Sequence, residues 1–435
     1  MTKEKNTFIQ SLFQLIQADT YVLLKWFGDD LATLPEGSDL DILVKPELIQ
    51  KIASFFNSHS SILKVNLSER AGVQHYYLFF KNGDFLQIDL LLKFVRKQLI
   101  YLSTENILDK SIIFNGIRTC DTATIFEHAL LFNYLNYSGL PEKYYNHYSK
   151  LSLTTQHQLL KDINDKYDTT FKSIKDTIEF TPHNRAQIIK YLNGQRENSF
   201  INKVINLGNY LKTLWCLLKE ENSQTITFSG VDGAGKSTII NEVRTLLGNK
   251  YRKKVVVLRH RPSLLPIISA WKYGKKGAEQ RSVARLPRQG TNNSKIASYL
   301  RFSYYYLDYL LGQIYVWWKY LLRGYTVLYD RYYFDFIIDG KRSNINLSEK
   351  FPKFLYPFIA KPKLNFFLYA DAATILKRKK ELSPTVIKTL TKKYKTLFNE
   401  FSGKYNGLYL PIENIDKQET LHTIFTHYIE GIEKI

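Results

Sequence analysis

Cysteine is nearly absent from this sequence, with only Cys120 and Cys216 in 435 residues. Two cysteines build neither a disulfide framework nor a four-ligand zinc cage, and their scarcity fits a reducing cytoplasm. Long apolar runs are lacking too. The opening segment, MTKEKNTFIQSLFQ, has no uninterrupted apolar core of the kind a secretory signal needs. Residues 205–218 are short and carry Lys212, and the aromatic stretch 302–323 is broken by Asp308, Gln313 and Lys319. Neither reads as a membrane span of about 20 residues, and both are expected to be buried or amphipathic helices. Acidic charge is in short supply: 61 Lys and Arg face 40 Asp and Glu, leaving a net charge of +21. Such a balance attracts polyanions, whether nucleic acid, anionic lipid or phosphorylated substrates. The densest basic run is Lys377-Arg378-Lys379-Lys380, followed by Lys388, Lys392, Lys393 and Lys395. It is expected on one helical stretch, where a solvated face is the plain alternative to phosphate handling.

What is present is ample material for cores, 44% hydrophobic and 14% aromatic, in a chain long enough for two or three domains. A helix is expected over 1–19, a strand over 21–27 and another over 39–44 (DLDILV), then a helix over 46–58. Residues 73–92 read as a hairpin turned at Asn82-Gly83. From about 121 to 218 the pattern is helical, and polar residues at 219–224 mark a boundary. Beyond it, apolar strands at 225–230, 254–260, 325–331, 364–370 and 407–413 alternate with helical segments. That alternation predicts an α/β domain with a parallel five-stranded sheet and helices on both faces. The expected division is an α+β domain over 1–120, a helical connector over 121–220 and the α/β domain over 221–435.

Gly230-Val231-Asp232-Gly233-Ala234-Gly235-Lys236-Ser237 fits G-x-x-x-x-G-K-[ST] at every fixed position, between a strand and a helix. Glycines let the backbone wrap around phosphate oxygens, and the following helix adds its positive end. Lys236 is expected to reach the β- and γ-phosphates of ATP, and the Ser237 hydroxyl to ligate magnesium.

The segment FSGVDGAGKST resembles the phosphate loop of thymidylate kinases and related nucleoside-monophosphate kinases, which read F-E-G-x-D-G-A-G-K-[ST]. The resemblance continues through Arg323-Gly324-Tyr325, Asp330-Arg331-Tyr332, Lys361-Pro362 and Arg378, and spans essentially all of 225–435. It implies an ATP site at Gly230, Asp232, Gly233, Ala234, Gly235, Lys236, Ser237 and Thr238. Asp330 would sit near magnesium, and Arg331 would clamp the acceptor phosphate or neutralise the transition state. Arg378 would belong to a basic segment closing over ATP. Arg261 would contact the acceptor, and Asp232 its sugar hydroxyl. Ser229 stands where the family has Glu, His260 lies in a divergent second-strand motif, and Tyr333-Phe334-Asp335 follow the D-R-Y. These departures fall on the acceptor side, so ATP handling is expected to be retained and thymidylate is expected to be a poor acceptor.

Asp39 and Asp41 share one face of their strand, and Asp89 lies on a strand that would run alongside. Three converging carboxylates would hold two magnesium ions about 3.5–4 Å apart. The pattern resembles the nucleotidyltransferase superfamily over roughly 20–120, with Phe27-Gly28-Asp29 or Gly37-Ser38 at the position of its glycine–serine pair. Chance D-x-D spacing, or a degenerate domain retained for binding, are the alternatives.

Together these features predict a cytoplasmic, ATP- and magnesium-dependent kinase acting on a nucleotide or another small phosphorylated or sugar-like acceptor. A nucleic-acid-associated NTPase with a degenerate N-terminal domain is the alternative. No membrane span is expected, and a homodimer is left open.

Overall fold

The structure, a computed structural model, describes residues 3–26, 31, 38–219, 224–262, 264–265 and 294–431. The chain forms two compact units, Met1–Lys219 with Lys434–Ile435, and Glu220–Glu433.

The first unit opens with a helix, Lys3–Ile16, whose Phe8, Ile9, Leu12 and Ile16 recur at helical spacing on one buried face. Strands β1 (Tyr21–Leu24), β2 (Asp39–Val44), β3 (Ile62–Arg70), β4 (Val73–Phe80) and β5 (Phe85–Leu91) follow. The short strands β6 (Phe94–Arg96), β7 (Leu99–Leu102), β8 (Ile112–Phe114) and β9 (Ile117–Thr119) complete the set. Seven strands form one sheet in the order β3-β4-β5-β2-β1-β9-β8, and β6 pairs with β7 apart from it. The hairpin expected at Asn82-Gly83 is there: Phe79 pairs with Phe85, and Gly83 takes φ +83°. β1 stops at Leu24, short of its expected end at 27, because Lys25 adopts φ +57°.

Alternation along the strands sends side chains to two cores. Leu23, Leu40, Ile42, Ile88 and Leu90 pack with Phe8, Leu12, Ile52 and Phe56. On the opposite face, Val22, Leu24, Leu43 and Leu91 pack with Phe126, Leu130, Tyr134 and Ile163 from the helical region. The helices between Thr122 and Gly194, in the region expected as a connector, therefore share a core with the sheet. Asp41 and Asp89 fall on this same face, at the parity of Leu43 and Leu91.

In the second unit, β10 (Thr225–Ser229), β11 (Lys254–Arg259), β12 (Tyr325–Asp330), β13 (Leu364–Tyr369) and β14 (Leu408–Glu413) all pair in parallel. Their order is β11-β12-β10-β13-β14, with the first strand at the centre. Both faces are covered, since neighbouring Val327 and Leu328, and neighbouring Phe366 and Phe367, are all fully buried. Helices Lys236–Asn249, Pro384–Ser402 and Lys417–Gly431 pack against the strands. Most of the aromatic stretch lies in the helix Lys295–Lys319, which buries Phe302, Tyr305, Asp308 and Tyr309. No described helix is long and apolar enough to cross a membrane.

The basic run expected on one helix is divided. A helix ends at Arg378, and the next starts at Pro384 under the cap of Ser383, whose hydroxyl accepts from the Val386 amide. Serine followed by proline is a helix start, and it overrides the continuous lysine pattern.

Candidate functional site

Open parallel sheets gather their ligands where strands end and loops begin. Here each strand of the second unit delivers something at its C-terminal end. β10 runs into the glycine-rich loop, β11 into Arg259-His260-Arg261 and β12 into Asp330-Arg331. β13 leads through a short helix to Arg378, and β14 ends beside Asn414.

The loop needs its glycines. A Cβ on Gly230 would stand 2.3 Å from the Leu368 carbonyl oxygen, and Gly233 and Gly235 take φ +87° and +86°. The helix Lys236–Asn249 starts directly from Gly235, which offers no side-chain cap to its first amides. Those amides are the donors an anion would use. Lys236 is buried, and its ammonium donates to the Val231 carbonyl at 2.9 Å, folded onto its own loop. Burial and the nearby Arg331 lower its pKa to about 7.

Beside the loop lies a cleft of about 610 Å³, lined by Asp232, Lys236, Ser237, Asp330, Arg331 and Arg342, and also by Arg259, His260, Arg261 and Tyr305. A chain of ion pairs fixes the arginines. Arg331 donates to Asp232 at 2.7 Å and to Asp335 at 2.8 Å, while Arg342 donates to the other oxygen of Asp232. Tyr394 donates to Asp335 at 2.7 Å. Burial opposes ionisation of Asp232, but Arg331, Lys236 and Arg342 outweigh it and hold the carboxyl well below the usual range. Arg331 itself has φ +75°, a conformation costly for a side-chain-bearing residue, and its amide is tied to the Phe228 carbonyl at 2.9 Å.

Arg261 is buried, paired with Asp308 at 2.6 Å and laid over the Tyr305 ring. His260 has φ +58°, and burial lowers its pKa to about 4, so its ring is neutral. Among the described residues, Asp330 Oδ1 and Ser229 Oγ are buried without a hydrogen-bond partner. A divalent cation held by Ser237 and Asp330 fits that orphaned oxygen.

Of the residues singled out from sequence, Asp232, Lys236, Ser237, Arg261, Asp330 and Arg331 come together on the cleft. Arg378 lies outside the cleft lining but beside the loop: its NH1 donates to the Asn414 carbonyl at 3.1 Å. The sequence marks Asp335 and Arg342 only as departures beyond the D-R-Y motif, and no motif marks Tyr394 or Asn414.

In the first unit, Asp41 lies directly opposite Asp89 across parallel β2 and β5. Carboxylate oxygens of Asp39, Asp41 and Asp89 lie within 4.8 Å of one another, as the strand reading predicts. Two basic side chains missed in the sequence accompany them. Lys25 Nζ lies 2.8 Å from Asp41 Oδ2, and His75 Nδ1 lies 2.8 Å from Asp89 Oδ1, which also accepts from Gln87 at 2.9 Å. Burial raises the Asp41 pKa, aided by Asp39 and Asp89 and opposed by Lys25. The Lys25 ammonium, despite burial, is held protonated chiefly by Asp41. An ammonium and a divalent ion about 4 Å apart repel by roughly 8 kcal/mol at an effective dielectric near 20. A divalent ion entering this cluster would therefore compete with Lys25 for Asp41. Phe27-Gly28-Asp29 and Gly37 lie outside the described residues.

No protein-family model matches the chain, and no curated protein matches it.

Proposed function

We propose that the second unit is an ATP- and magnesium-dependent phosphotransferase of the thymidylate-kinase-like kind, acting on a nucleotide or another small phosphorylated or sugar-like acceptor. The observation that carries this reading is the complete G-x-x-x-x-G-K-S loop at the head of the central strand, opening onto a cleft lined by Lys236, Asp330, Arg331 and Arg342. Bound ATP and magnesium would supply the transferable phosphoryl group and part of its charge compensation.

The protein's own part is positioning and electrostatics, which is most of what phosphoryl transfer asks. Residues 230–238 would cradle the phosphates. Lys236 would exchange the Val231 carbonyl for a phosphate oxygen and regain its proton there. Ser237 and Asp330 would hold the cation. Arg331, gripped by Asp232 and Asp335, has little freedom to move, so it would meet the acceptor in a fixed orientation. A cleft of about 610 Å³ suits a small acceptor better than a polymer, which favours a kinase over a nucleic-acid-dependent NTPase. Ser229, His260 and the Tyr333–Asp335 segment depart from the thymidylate kinase pattern where the acceptor would sit, so thymidylate is not the expected substrate.

The test is incubation with ATP, magnesium and a metabolite extract, read by mass spectrometry for a gain of one phosphate. A product that appears with wild type and disappears with Lys236→Ala is expected. Turnover by Lys236→Ala within about threefold of wild type would sink the assignment, because clamps of this kind carry orders of magnitude in rate. ATP hydrolysis stimulated by nucleic acid, with binding that weakens steeply as salt rises, would point to the alternative.

A further inference from the structure

Buried carboxylates need a cation or a proton nearby, and clustered ones need it more. Asp41 and Asp89 are 8% and 7% exposed, stand opposite each other in register and have Asp39 within reach. The chain answers this charge with its own residues. Lys25 sits at the end of β1, where Leu24 pairs with Asp41, and its left-handed backbone sets its ammonium on Asp41. Lysine rarely adopts φ near +57°, and such a conformation persists only where the surroundings enforce it. His75 reaches Asp89 from the neighbouring strand, where the two are direct cross-strand partners. Asp41 and Asp89 thus each have a basic partner built into the sheet itself.

We propose that Lys25 is the resident cation of the Asp39–Asp41–Asp89 cluster, so that a divalent ion enters only by displacing its ammonium. This departs from what the nucleotidyltransferase resemblance implies, a carboxylate set that depends on two metal ions. The cluster then holds the sheet together in the absence of metal, and the first unit does not require one to fold. Removing Lys25 should convert a cluster partly neutralised from within into a metal site with the full charge of three carboxylates.

The experiment is thermal unfolding of the full chain across millimolar manganese, without nucleotide. Wild type should show no change in the melting of the first unit. Lys25→Met should melt lower without manganese and recover by about 5 °C or more once the ion is in large excess over its dissociation constant. Adding Asp41→Asn to Lys25→Met should remove that response, which separates it from manganese bound elsewhere. Equal or larger stabilisation of wild type than of Lys25→Met overturns the proposal, and so does a Lys25→Met chain indifferent to manganese. Should Lys25→Met fail to fold, wild type decides alone. A manganese-dependent rise that Asp41→Asn abolishes would show the metal, not Lys25, to be the resident cation, and a flat wild type in which Lys25→Arg folds normally supports it.

Discussion

Asn414 ties the glycine-rich loop to the segments around it, and its backbone amide donates to the Tyr369 carbonyl at 2.7 Å. Its side-chain amide donates to the Ala234 carbonyl inside the loop at 2.7 Å, its side-chain oxygen accepts from Thr420 at 3.1 Å, and its backbone carbonyl accepts from Arg378. The residue is 5% exposed, so Asn414→Ala strands the Ala234 carbonyl away from water, at about 1–3 kcal/mol. Weaker ATP binding by roughly tenfold is expected with it, since the loop loses its outer brace; equilibrium unfolding and titration with a fluorescent ATP analogue measure the two. Asn414→Asp should be worse, because a carboxylate would face the carbonyl. Unchanged ATP binding in both variants would remove Asn414 from the site. Lys236 offers a second test at this scale. Its pKa is about 7 in the ligand-free fold against 10.5 for an unperturbed lysine. Below about pH 7 both states carry the proton and the native state bears the full cost of the buried charge. Between about 7 and 10.5 the unfolded chain binds a proton that the native one does not, so stability rises with pH. Lys236→Met should therefore be more stable than wild type near pH 6.5, with the gap closing toward pH 10. A gap that stays constant across that range would mean the lysine is not desolvated.

Among elements, the five parallel strands and the loop between β10 and its helix were legible in the sequence because each is a short apolar run bounded by polar turns. β3 was not, since it is mostly half-exposed, and β8 is exposed throughout. Strands at a sheet margin need no apolar face, so periodicity does not mark them. The site divides in the same way. Lys236, Ser237, Asp330 and Arg331 sit in short motifs at strand ends and could be named from spacing. Arg342 acquires its role by pairing with Asp232, 110 residues earlier, and Lys25 by facing Asp41 across a strand pair. Such partnerships arise from strand order, which a local motif does not contain. Glycines test the elements directly. Gly83 has open space where a Cβ would go, so Gly83→Ala should cost only about 1 kcal/mol for its positive φ. Gly230→Ala meets a backbone carbonyl that cannot step aside, and a loss of more than about 3 kcal/mol from the second unit is expected. Equal costs at the two positions in denaturant unfolding would mean that the loop has room to adjust.

For the whole molecule, the described residues of each unit form their own hydrophobic cores, on the two faces of the seven-stranded sheet in the first and against the parallel sheet in the second. Chains built this way unfold in separate steps rather than as one cooperative body. Calorimetry of the full chain should therefore show two transitions, and each candidate site should move only its own. A non-hydrolysable ATP analogue with magnesium, at about 100 times its dissociation constant, adds about 2.7 kcal/mol to the state that binds it. For a unit of this size that is an upward shift of roughly 5–10 °C. Only the second unit's transition should rise, and Lys236→Ala should remove most of the rise, because the buried ammonium supplies the charge that meets the phosphates. Lys25→Met should lower the other transition and leave the nucleotide response intact. If both transitions climbed together with nucleotide, the two units would be energetically coupled, and the glycine-rich loop would be reporting to the carboxylate cluster. If neither moved while the analogue demonstrably bound, the loop would be engaging it without drawing on the fold, and the phosphotransferase reading would lose its structural basis.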